Sequence, residues 1–369
     1  FYDQIIYAIG AQADRRMGIQ GEDLPNSYAA TAFVGWYNGH PDYRELPIDL
    51  SCERAVVVGN GNVAMDVTRI LVTPPDELAR TDIADHALPV LRRSKIREVV
   101  MLGRRGPAQA SFTNPELREF GKLDGVDVVV DPQDLQLDHA SVEALQSDRT
   151  AATNMEILRE YATRTERTAP RRIVMRFFAS PTEIIGESGK IAAVKIERNR
   201  LEVDANGGLR SRGTGQFETI PAGLVLRSIG YRCVPIEGVP FNEENHTVSN
   251  IAGRVVHPNT SEPAIGEYVV GWAKRGPSGL IGNNKPDSIA TVNAMIEDLP
   301  SLPGIADDQR DLSRIEAFLH ERHVDFVSTP DWQRLDRFEV AQGVPHGRPR
   351  VKVTTVPEMM AVIREPAGG

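Results

Sequence analysis

The feature that most constrains this chain is residues 54–66, where an apolar run breaks at two glycines and resumes with helical spacing. The apolar run predicts a buried strand. Apolar residues from Val63 onward recur at i, i+1, i+4, i+7 and i+8, which places them on one face of a helix. With Gly59, Gly61 and Ala64 at the junction, the two elements form the G-x-G-x-x-A pattern of dinucleotide-binding proteins. An ordinary strand-to-helix turn is the alternative.

Each small residue of this pattern has a physical role in nucleotide binding. Gly59 permits the tight turn, Gly61 lets the backbone approach a pyrophosphate, and Ala64 keeps the helix close to the strand. The unpaired N–H groups of the first helical turn then face the phosphates, and the helix dipole favours their negative charge. The sequence therefore predicts a phosphate-binding turn at residues 59–64.

The next predicted strand, residues 98–103, is followed by two arginines that indicate which nucleotide binds. An NAD site usually has a carboxylate about 20 residues after the glycines, which binds the ribose 2′-hydroxyl. Arg104 and Arg105 instead supply planar, permanently charged groups that bind phosphate oxygens in pairs. The sequence thus favours NADP(H) over NAD(H), unless the two side chains are only a solvated charge pair. A polar insertion at residues 72–97 explains the longer spacing.

Length, charge and cysteine content narrow the class of protein. A length of 369 residues allows two domains or one large α/β unit. The net charge of −9 argues against general nucleic-acid binding. Cys52 and Cys233 are isolated and have no metal-ligand spacing, so we expect no metal site and a reducing, cytoplasmic location. No apolar run approaches the length of about 18 residues that a membrane span needs.

Apolar patterns predict further strands and helices along the chain. The chain opens on a strand pattern at residues 4–9 without an initiator Met, which we interpret as an internal fragment. Further strands are predicted at residues 125–130, 173–179, 191–197, 224–229, 267–273 and 350–354. A glycine-rich loop, residues 276–282, is a second candidate phosphate- or ring-binding loop, and a helix with an apolar stripe follows it. The stripe consists of Ile289, Val292, Met295, Ile296 and Leu299.

Five ordered motifs, spanning residues 1 to about 300, resemble those of one flavoprotein family. They are Tyr7-Ala8-Ile9-Gly10-Ala11, the stretch 59–66, Gly103-Arg104-Arg105-Gly106-Pro107, Glu116-Leu117-Arg118-Glu119 and the stretch 271–282. The family is that of the adrenodoxin-reductase-like ferredoxin–NADP reductases, which are FAD- and NADP(H)-binding proteins of mitochondria and actinobacteria. Residues 331–333 and 347–352 resemble the tail of the bacterial members.

The resemblance implies an α/β fold with two Rossmann-like three-layer nucleotide-binding domains, each built on a largely parallel sheet. Residues 1–10 would be a remnant of the FAD-binding domain, and residues 11–232 the NADP-binding domain. Residues 233–300 would be the C-terminal part of the FAD-binding domain, and residues 301–369 a helical extension. Family members begin with an FAD-binding β-α-β unit. Nothing here corresponds to it, so we expect an FAD domain that is incomplete at its N-terminus.

The resemblance also implies roles for individual residues. Arg104 and Arg105 would bind the NADP(H) 2′-phosphate, and Arg15 falls where the family contacts NADP(H). Glu116 matches a position near the nicotinamide and Glu119 one implicated in proton handling beside the flavin, with solvated helix-start acids as the alternative for both. The expected pyrophosphate contacts are Asn60, Gly61, Asn62 and Val63. The expected flavin contacts are Trp272, Gly279, Leu280 and Ile281, with Gly279 also near the nicotinamide.

Three functions are consistent with these observations. The first is a ferredoxin–NADP reductase, in which NADPH reduces FAD and electrons pass singly to a ferredoxin-type iron–sulfur protein. The second is an NADPH-oxidising electron-input subunit of the glutamate-synthase type, which usually carries extra cysteines for iron–sulfur clusters. The third is a truncated NADP-binding module without turnover. A yellow purified protein that NADPH bleaches would favour the first two, and a colourless one the third.

Overall fold

The computed structural model describes residues 1–164, 166–204, 208–257, 259–279, 281–306 and 310–365. The chain forms two compact units. Unit 1 comprises residues 1–15 and 230–328, and unit 2 comprises residues 16–229 and 329–369. Residues 301–369, which the sequence groups as one helical extension, are divided between the two units.

Short strands and helices alternate through most of the chain. The strands are β1 (Ile5–Tyr7), β2 (Ala13–Asp14), β3 (Ser27–Ala29), β4 (Arg54–Val58), β5 (Glu98–Leu102), β6 (Val126–Val130), β7 (Arg171–Arg176), β8 (Ala179–Glu187), β9 (Lys190–Val203), β10 (Leu209–Pro221), β11 (Leu224–Arg227), β12 (Tyr231–Arg232), β13 (Phe241–Asn242), β14 (Thr247–Val248), β15 (Asn250–Ile251), β16 (Arg254–Val256) and β17 (Pro263–Val269). The helices are α1 (Ala30–Asn38), α2 (Asn62–Val72), α3 (Pro75–Leu78), α4 (Leu88–Arg92), α5 (Asn114–Phe120), α6 (His139–Ser147), α7 (Arg149–Thr163), α8 (Trp272–Arg275), α9 (Ile281–Asp298), α10 (Leu312–Glu321), α11 (Thr329–Gly343) and α12 (Val356–Arg364).

A six-stranded sheet with the order β3-β11-β4-β5-β7-β6 forms the centre of unit 2, and its described pairings are all parallel. Both faces of this sheet are buried. On β4, Ala55 and Val57 belong to the core shared with helices such as α2 and α7, whereas Val56 and Val58 belong to the core on the opposite face. Burial on both faces explains why β4 and β5 are continuous apolar runs. The predicted α/β fold class is confirmed.

The third layer of unit 2 is an antiparallel sheet with the order β10-β9-β8. Its Ile184, Val194 and Ile196 pack against the central sheet and are each at most 2% exposed. The sequence predicts part of β9 but not β10, because most side chains of residues 209–221 are polar and exposed. β10 is specified by its long pairing with β9 rather than by its own apolar pattern.

Residues 350–354 form no strand, although the sequence predicts one. The Val351 N–H donates to the Glu339 carbonyl and the Val353 N–H to the Glu339 carboxylate, both at 2.9 Å. Glu339 lies in α11, so a helix rather than a neighbouring strand satisfies these two donors. The local sequence carries no information about that partner.

Unit 1 contains a mixed sheet with the order β1-β17-β16-β15, not a largely parallel one. β1 and β17 are parallel, whereas β16 is antiparallel to both β17 and β15. β15 and β16 are joined by Ala252 and Gly253, whose φ values of 51° and 89° suit a tight hairpin. The short hairpin connection explains the antiparallel pairing.

The apolar stripe of α9 lies on the exposed side of this helix. Ile289 and Ile296 are 51% and 58% exposed, whereas Thr291 and Ala294 are 0% and 5% exposed. The Thr291 hydroxyl lies 3.3 Å from the Val269 carbonyl of β17. Small residues therefore form the face that packs on the sheet, and the prediction from periodicity identified the opposite face. Within the described parts of the chain, no helix is both long and apolar enough to cross a membrane.

Candidate functional site

Gly59 follows β4 with a backbone conformation that glycine adopts readily and other residues do not. Its φ is 129°, and its N–H donates to the Leu102 carbonyl at 2.8 Å. A Cβ atom at this position would lie 2.0 Å from the Ser228 carbonyl oxygen. The turn therefore requires glycine at residue 59 for steric reasons that lie within unit 2 itself.

Gly61 is different, because the fold of unit 2 does not require glycine there. Its φ of −100° and ψ of 178° are open to other residues. An added Cβ would have Ser111 Cβ, at 3.9 Å, as its nearest neighbour. Gly61 is the N-cap of α2 and has no side chain to cap the first-turn N–H groups. A glycine keeps the space in front of these donors open, which fits the close approach of a pyrophosphate.

The other residues of the predicted pyrophosphate site brace the turn through both backbone and side-chain contacts. The Asn62 side chain accepts a hydrogen bond from the Thr113 N–H at 2.9 Å. The Asn60 backbone carbonyl accepts a hydrogen bond from the Ser111 N–H at 3.1 Å. Val63 is partly buried and packs against the core that the central sheet shares with α2 and α7. We infer that these residues can serve a nucleotide chiefly through backbone N–H groups.

The two arginines follow β5 at the same edge of the sheet as the glycine turn, because β4 and β5 are adjacent and parallel. Arg104 is exposed. Arg105 is half-buried, and its guanidinium lies 3.4 Å from the Gln109 carbonyl. Burial, followed by the charge of Arg104, lowers the pKa of the Arg105 guanidinium. No carboxylate in the described residues forms an ion pair with either arginine, so this end of β5 suits a phosphate dianion.

Two residues far along the chain, which no sequence motif indicates, hold this region in place. The Asn199 side chain of β9 donates to the Arg104 carbonyl at 2.8 Å. The Ser228 backbone, which follows β11, fills the space beside Gly59 and donates its N–H to the Val58 carbonyl at 2.7 Å. Neither residue belongs to a local motif, so only the sheet order reveals these contacts.

Helix α5 carries the two predicted glutamates and follows the segment that Asn62 holds. Glu116 lies in its first turn. The Glu119 carboxylate pairs with Lys122 Nζ at 2.8 Å. This hydrogen bond, and then the Lys122 charge, hold the pKa of Glu119 below its usual range. In this arrangement Glu119 is an ionised, surface-paired carboxylate at neutral pH.

In unit 1, Arg15 and Trp272 are connected through Tyr231. The Arg15 Nε–H donates to the Tyr231 carbonyl at 3.2 Å, and the Arg15 N–H donates to the Gly230 carbonyl at 3.0 Å. The Tyr231 ring stacks on Trp272 with a centroid separation of 5.6 Å and an interplanar angle of 21°. No sequence motif indicates Tyr231, which directly follows the apolar run ending in Ile229-Gly230 and forms β12 with Arg232.

Trp272 has a buried indole N–H that donates to no partner in the described parts of unit 1. An unpaired buried N–H donor is costly, so the indole fits a ligand atom that accepts this hydrogen bond.

Asp287 holds the backbone beside Trp272. The adjacent Gly271 has a φ of 67° and donates its N–H to Asp287 at 2.8 Å. Asp287 also pairs with Lys274 Nζ at 2.9 Å. Burial alone would raise the pKa of Asp287, but these two partners outweigh it and the pKa is lowered.

The remaining predicted flavin contacts are Gly279, Leu280 and Ile281. Gly279 is exposed and has a φ of 79°. Leu280 lies outside the described residues, and Ile281 is the first residue of α9. Among the residues that the structure describes, no group of three or more His, Cys, Asp or Glu side chains has the geometry to hold a metal ion.

The predicted residues thus fall into two groups, one in each unit. Unit 2 brings the turn at residues 59–63, the Arg104–Arg105 pair and the start of α5 to one region. Unit 1 connects Arg15 with Trp272, and the segment 276–281 follows α8. The donors in unit 2 suit phosphates, and the unpaired indole N–H in unit 1 suits an acceptor on a ring.

Among curated proteins, the chain is similar in sequence to reductases that are named for NADPH and for ferredoxin or adrenodoxin. No protein-family model matches the chain. It is 50% identical over 366 residues to the NADPH-ferredoxin reductase FprA of Mycobacterium leprae, covering 98% of this chain and 78% of that protein. It is 38% identical over 375 residues to human mitochondrial NADPH:adrenodoxin oxidoreductase, covering 98% of this chain and 74% of that protein.

The chain is also similar to a solved structure over nearly its whole length. The chain matches the structure of Mycobacterium tuberculosis FprA in complex with NADPH with a TM-score of 0.91 and 47% identity. The match covers 98% of this chain and 79% of that one. At these levels of identity and coverage, the resemblance seen in the five sequence motifs is confirmed. The chain belongs to the NADPH-ferredoxin reductase family, which also includes the adrenodoxin oxidoreductases.

Proposed function

We propose that the chain acts as a ferredoxin–NADP reductase, an NADP-dependent flavoprotein oxidoreductase. The observation that best supports this proposal is the end of β5, where Arg104 and Arg105 lie beside the glycine turn and no carboxylate of the described residues neutralises them. Such a site discriminates NADP(H) from NAD(H) by charge. The family relationship supplies the rest of the reaction.

Unit 2 is the proposed NADP(H)-binding unit. The first-turn N–H groups of α2, at Asn62 and Val63, would donate to the pyrophosphate that Gly61 allows to approach, with Asn60 at the border of the turn. Arg104 and Arg105 would bind the 2′-phosphate. We place Glu116 near the nicotinamide, where the first turn of α5 follows the segment held by Asn62. In unit 1, Arg15 is the proposed further contact to NADP(H).

Unit 1 is the proposed part of the FAD-binding domain. The unpaired Trp272 indole N–H and the backbone of residues 279–281 would hold the flavin. A bound FAD would supply the redox chemistry that links hydride transfer from NADPH to single-electron transfer to the acceptor. The protein's own residues position the two nucleotides: Asp287 fixes the Gly271 N–H and thereby the start of α8, and Tyr231 fixes the Trp272 ring by stacking on it.

The proposed electron acceptor is a ferredoxin-type iron–sulfur protein. Relatives of this chain are named for reducing ferredoxin or adrenodoxin. An electron-input role of the glutamate-synthase type gains no support from the residues, because the two cysteines, Cys52 and Cys233, are both unpaired and each stands alone. Free thiols also favour a reducing cytoplasm as the site of action.

Proton handling is the proposed role of Glu119, and its pair with Lys122 makes this role testable by pH. Replacing Lys122 by Gln removes the two largest interactions that lower the pKa of Glu119, its hydrogen bond to Lys122 and the Lys122 charge. The carboxyl group then becomes protonated at a higher pH. If turnover needs the ionised carboxylate, the acid limb of the pH–rate profile moves to higher pH in Lys122→Gln. The measurement is NADPH-driven ferredoxin reduction as a function of pH.

Glu119→Gln is the control for this experiment, because it removes the titrating group and should abolish that acid limb while leaving NADPH affinity unchanged. An acid limb at the same pH in the wild type and Lys122→Gln would contradict the role of Glu119. So would an unaltered profile in Glu119→Gln.

The proposed function itself is tested by flavin spectroscopy of the full chain. After incubation with FAD and removal of the excess, we expect a yellow protein whose visible absorbance is bleached by NADPH under anaerobic conditions. Oxidised ferredoxin should then restore the absorbance as it becomes reduced. A protein that retains no flavin, or whose flavin NADPH does not bleach, would contradict the proposal and favour a binding module without turnover.

A further inference from the structure

A pocket of about 470 Å³ lies within unit 2, at the end of the parallel sheet opposite the glycine turn. It opens where β4, β5 and β7 begin, whereas the glycines and the arginine pair follow the ends of β4 and β5. With five residues per strand, the two ends lie about 17 Å apart. The charged residues that line it are Glu53, Arg54, Arg97, Glu98, Arg171 and Arg172.

Both oxygens of one carboxylate in this pocket pair with arginines. Glu98 is 8% exposed. One of its oxygens pairs with the Arg54 guanidinium and the other with the Arg172 guanidinium. Arg54 also donates to the Pro221 carbonyl at 3.0 Å. Glu98 therefore has no free oxygen directed to the remaining cations of the pocket.

Of the four arginines of this pocket, Arg97 and Arg171 form no ion pair with any residue that the structure describes. Arg171 donates one Nη hydrogen bond to the Val72 carbonyl at 3.0 Å, and its buried Nε–H has no partner in the described residues. Arg97 is exposed and forms no side-chain hydrogen bond or ion pair with any described residue. Burial, followed by the charge of Arg97, lowers the pKa of the Arg171 guanidinium. The two positive charges therefore repel each other, and neither forms an ion pair with a described carboxylate.

The pocket carries an excess of positive charge in an acidic protein. Four arginines against two glutamates leave a formal charge of +2, in a chain whose net charge is −9. Glu53 is exposed and forms no ion pair with a described residue, so it only partly offsets this excess. An unsatisfied buried guanidinium donor and an uncompensated pair of cations together point to an anionic ligand.

We propose that this pocket binds a doubly charged oxyanion of the phosphate class, held by Arg97 and Arg171. Guanidinium groups match phosphate oxygens geometrically and remain charged at all working pH values. The volume lies in the range of small-molecule sites, which begins at about 300 Å³. The ligand is therefore either free phosphate or the phosphoryl group of a small phosphate ester. The inference does not depend on the proposed reductase activity.

Calorimetric titration of the full chain with inorganic phosphate tests this site. The Arg104→Ala, Arg105→Ala background removes the expected 2′-phosphate site and leaves this pocket intact, and Arg97→Gln then separates the pocket from the glycine turn. We expect saturable binding in that background, and Arg97→Gln added to it should weaken binding roughly tenfold. Glu53→Gln should strengthen binding, because it removes the opposing charge. Arg97 and Glu53 are exposed, so neither substitution should disturb folding.

Arg93→Gln is the matched control, because it removes one exposed positive charge outside the pocket and should leave phosphate affinity unchanged. Titration with ribose 5-phosphate separates the two ligand sources: tighter binding than inorganic phosphate indicates an ester ligand, and weaker binding indicates free phosphate. Absence of saturable binding by both probes would overturn the proposal. Equal weakening by Arg93→Gln and Arg97→Gln would also overturn it, because it would indicate diffuse charge attraction.

Discussion

Replacing Arg104 and Arg105 together by Ala is expected to weaken NADPH binding about 100-fold and to change NADH binding by less than about threefold. Each hydrogen bond to a charged group contributes about 1.5–3 kcal/mol, and about 1.4 kcal/mol corresponds to a factor of ten in affinity. Only the 2′-phosphate distinguishes the two nucleotides. Dissociation constants from fluorescence titration of the chain provide the measurement.

A matched control is available on the neighbouring helix. Arg92 and Arg93, at the end of α4, are also adjacent and exposed, and Arg92 forms only a surface pair with Asp76 at 3.6 Å. Their double replacement by Ala removes the same charge and should leave both affinities nearly unchanged. Equal losses for NADPH and NADH in the Arg104, Arg105 variant would show that these residues do not read the 2′-phosphate.

The two glycines of the turn are expected to respond to substitution in opposite ways. Gly59→Ala places a Cβ 2.0 Å from the Ser228 carbonyl oxygen at a φ of 129°, which should cost about 3 kcal/mol or more of stability. Gly61→Ala meets no such contact and should cost about 1 kcal/mol or less. Its methyl group should nevertheless weaken NADPH binding by about tenfold or more, because it occupies the space in front of the α2 donors.

Thermal unfolding followed by circular dichroism, together with NADPH titration of each folded variant, separates the two effects. We expect a large fall in the midpoint of unfolding for Gly59→Ala and a near-normal midpoint with weak binding for Gly61→Ala. Normal NADPH affinity in Gly61→Ala would contradict the assignment of this turn to the pyrophosphate. A normal midpoint in Gly59→Ala would contradict the steric account of the turn.

The parts of the fold that sequence predicted well are those specified by local patterns. β4, the glycine turn and α2 form one continuous strand, turn and helix signal, and the structure has these elements where the pattern predicts them. β5 and the arginine pair follow from an apolar run that ends abruptly. In both cases burial on two faces gives a strand with few polar residues, which is easily recognised.

The parts that sequence did not predict depend on partners far along the chain. Most side chains of β10, at the edge of its sheet, are polar and exposed, and its pairing with β9 specifies it. Asn199, Ser228 and Tyr231 reach their positions through sheet order, which single-sequence patterns do not contain. The α9 stripe shows a different limit: periodicity reveals an apolar face, whereas Thr291 and Ala294 show that the packed face carries small residues.

The ion pair of Glu119 is also indicated by local sequence spacing. Lys122 lies three residues after Glu119 and forms an ion pair with it. This spacing places two side chains on one helical face, where opposite charges commonly pair. The pair keeps the carboxylate ionised and makes it a weak base. A proton-handling role for Glu119 therefore requires this surface pair to open, and the pH experiment with Lys122→Gln examines that requirement.

The recognition of the 2′-phosphate is most directly measured by calorimetry of the unsubstituted chain with adenosine 2′,5′-bisphosphate and with 5′-AMP. The two ligands differ only in the phosphate that Arg104 and Arg105 are proposed to bind. We predict that the bisphosphate binds about 100-fold more tightly, with an advantage that decreases as salt increases. Equal affinities for the two ligands would contradict the account.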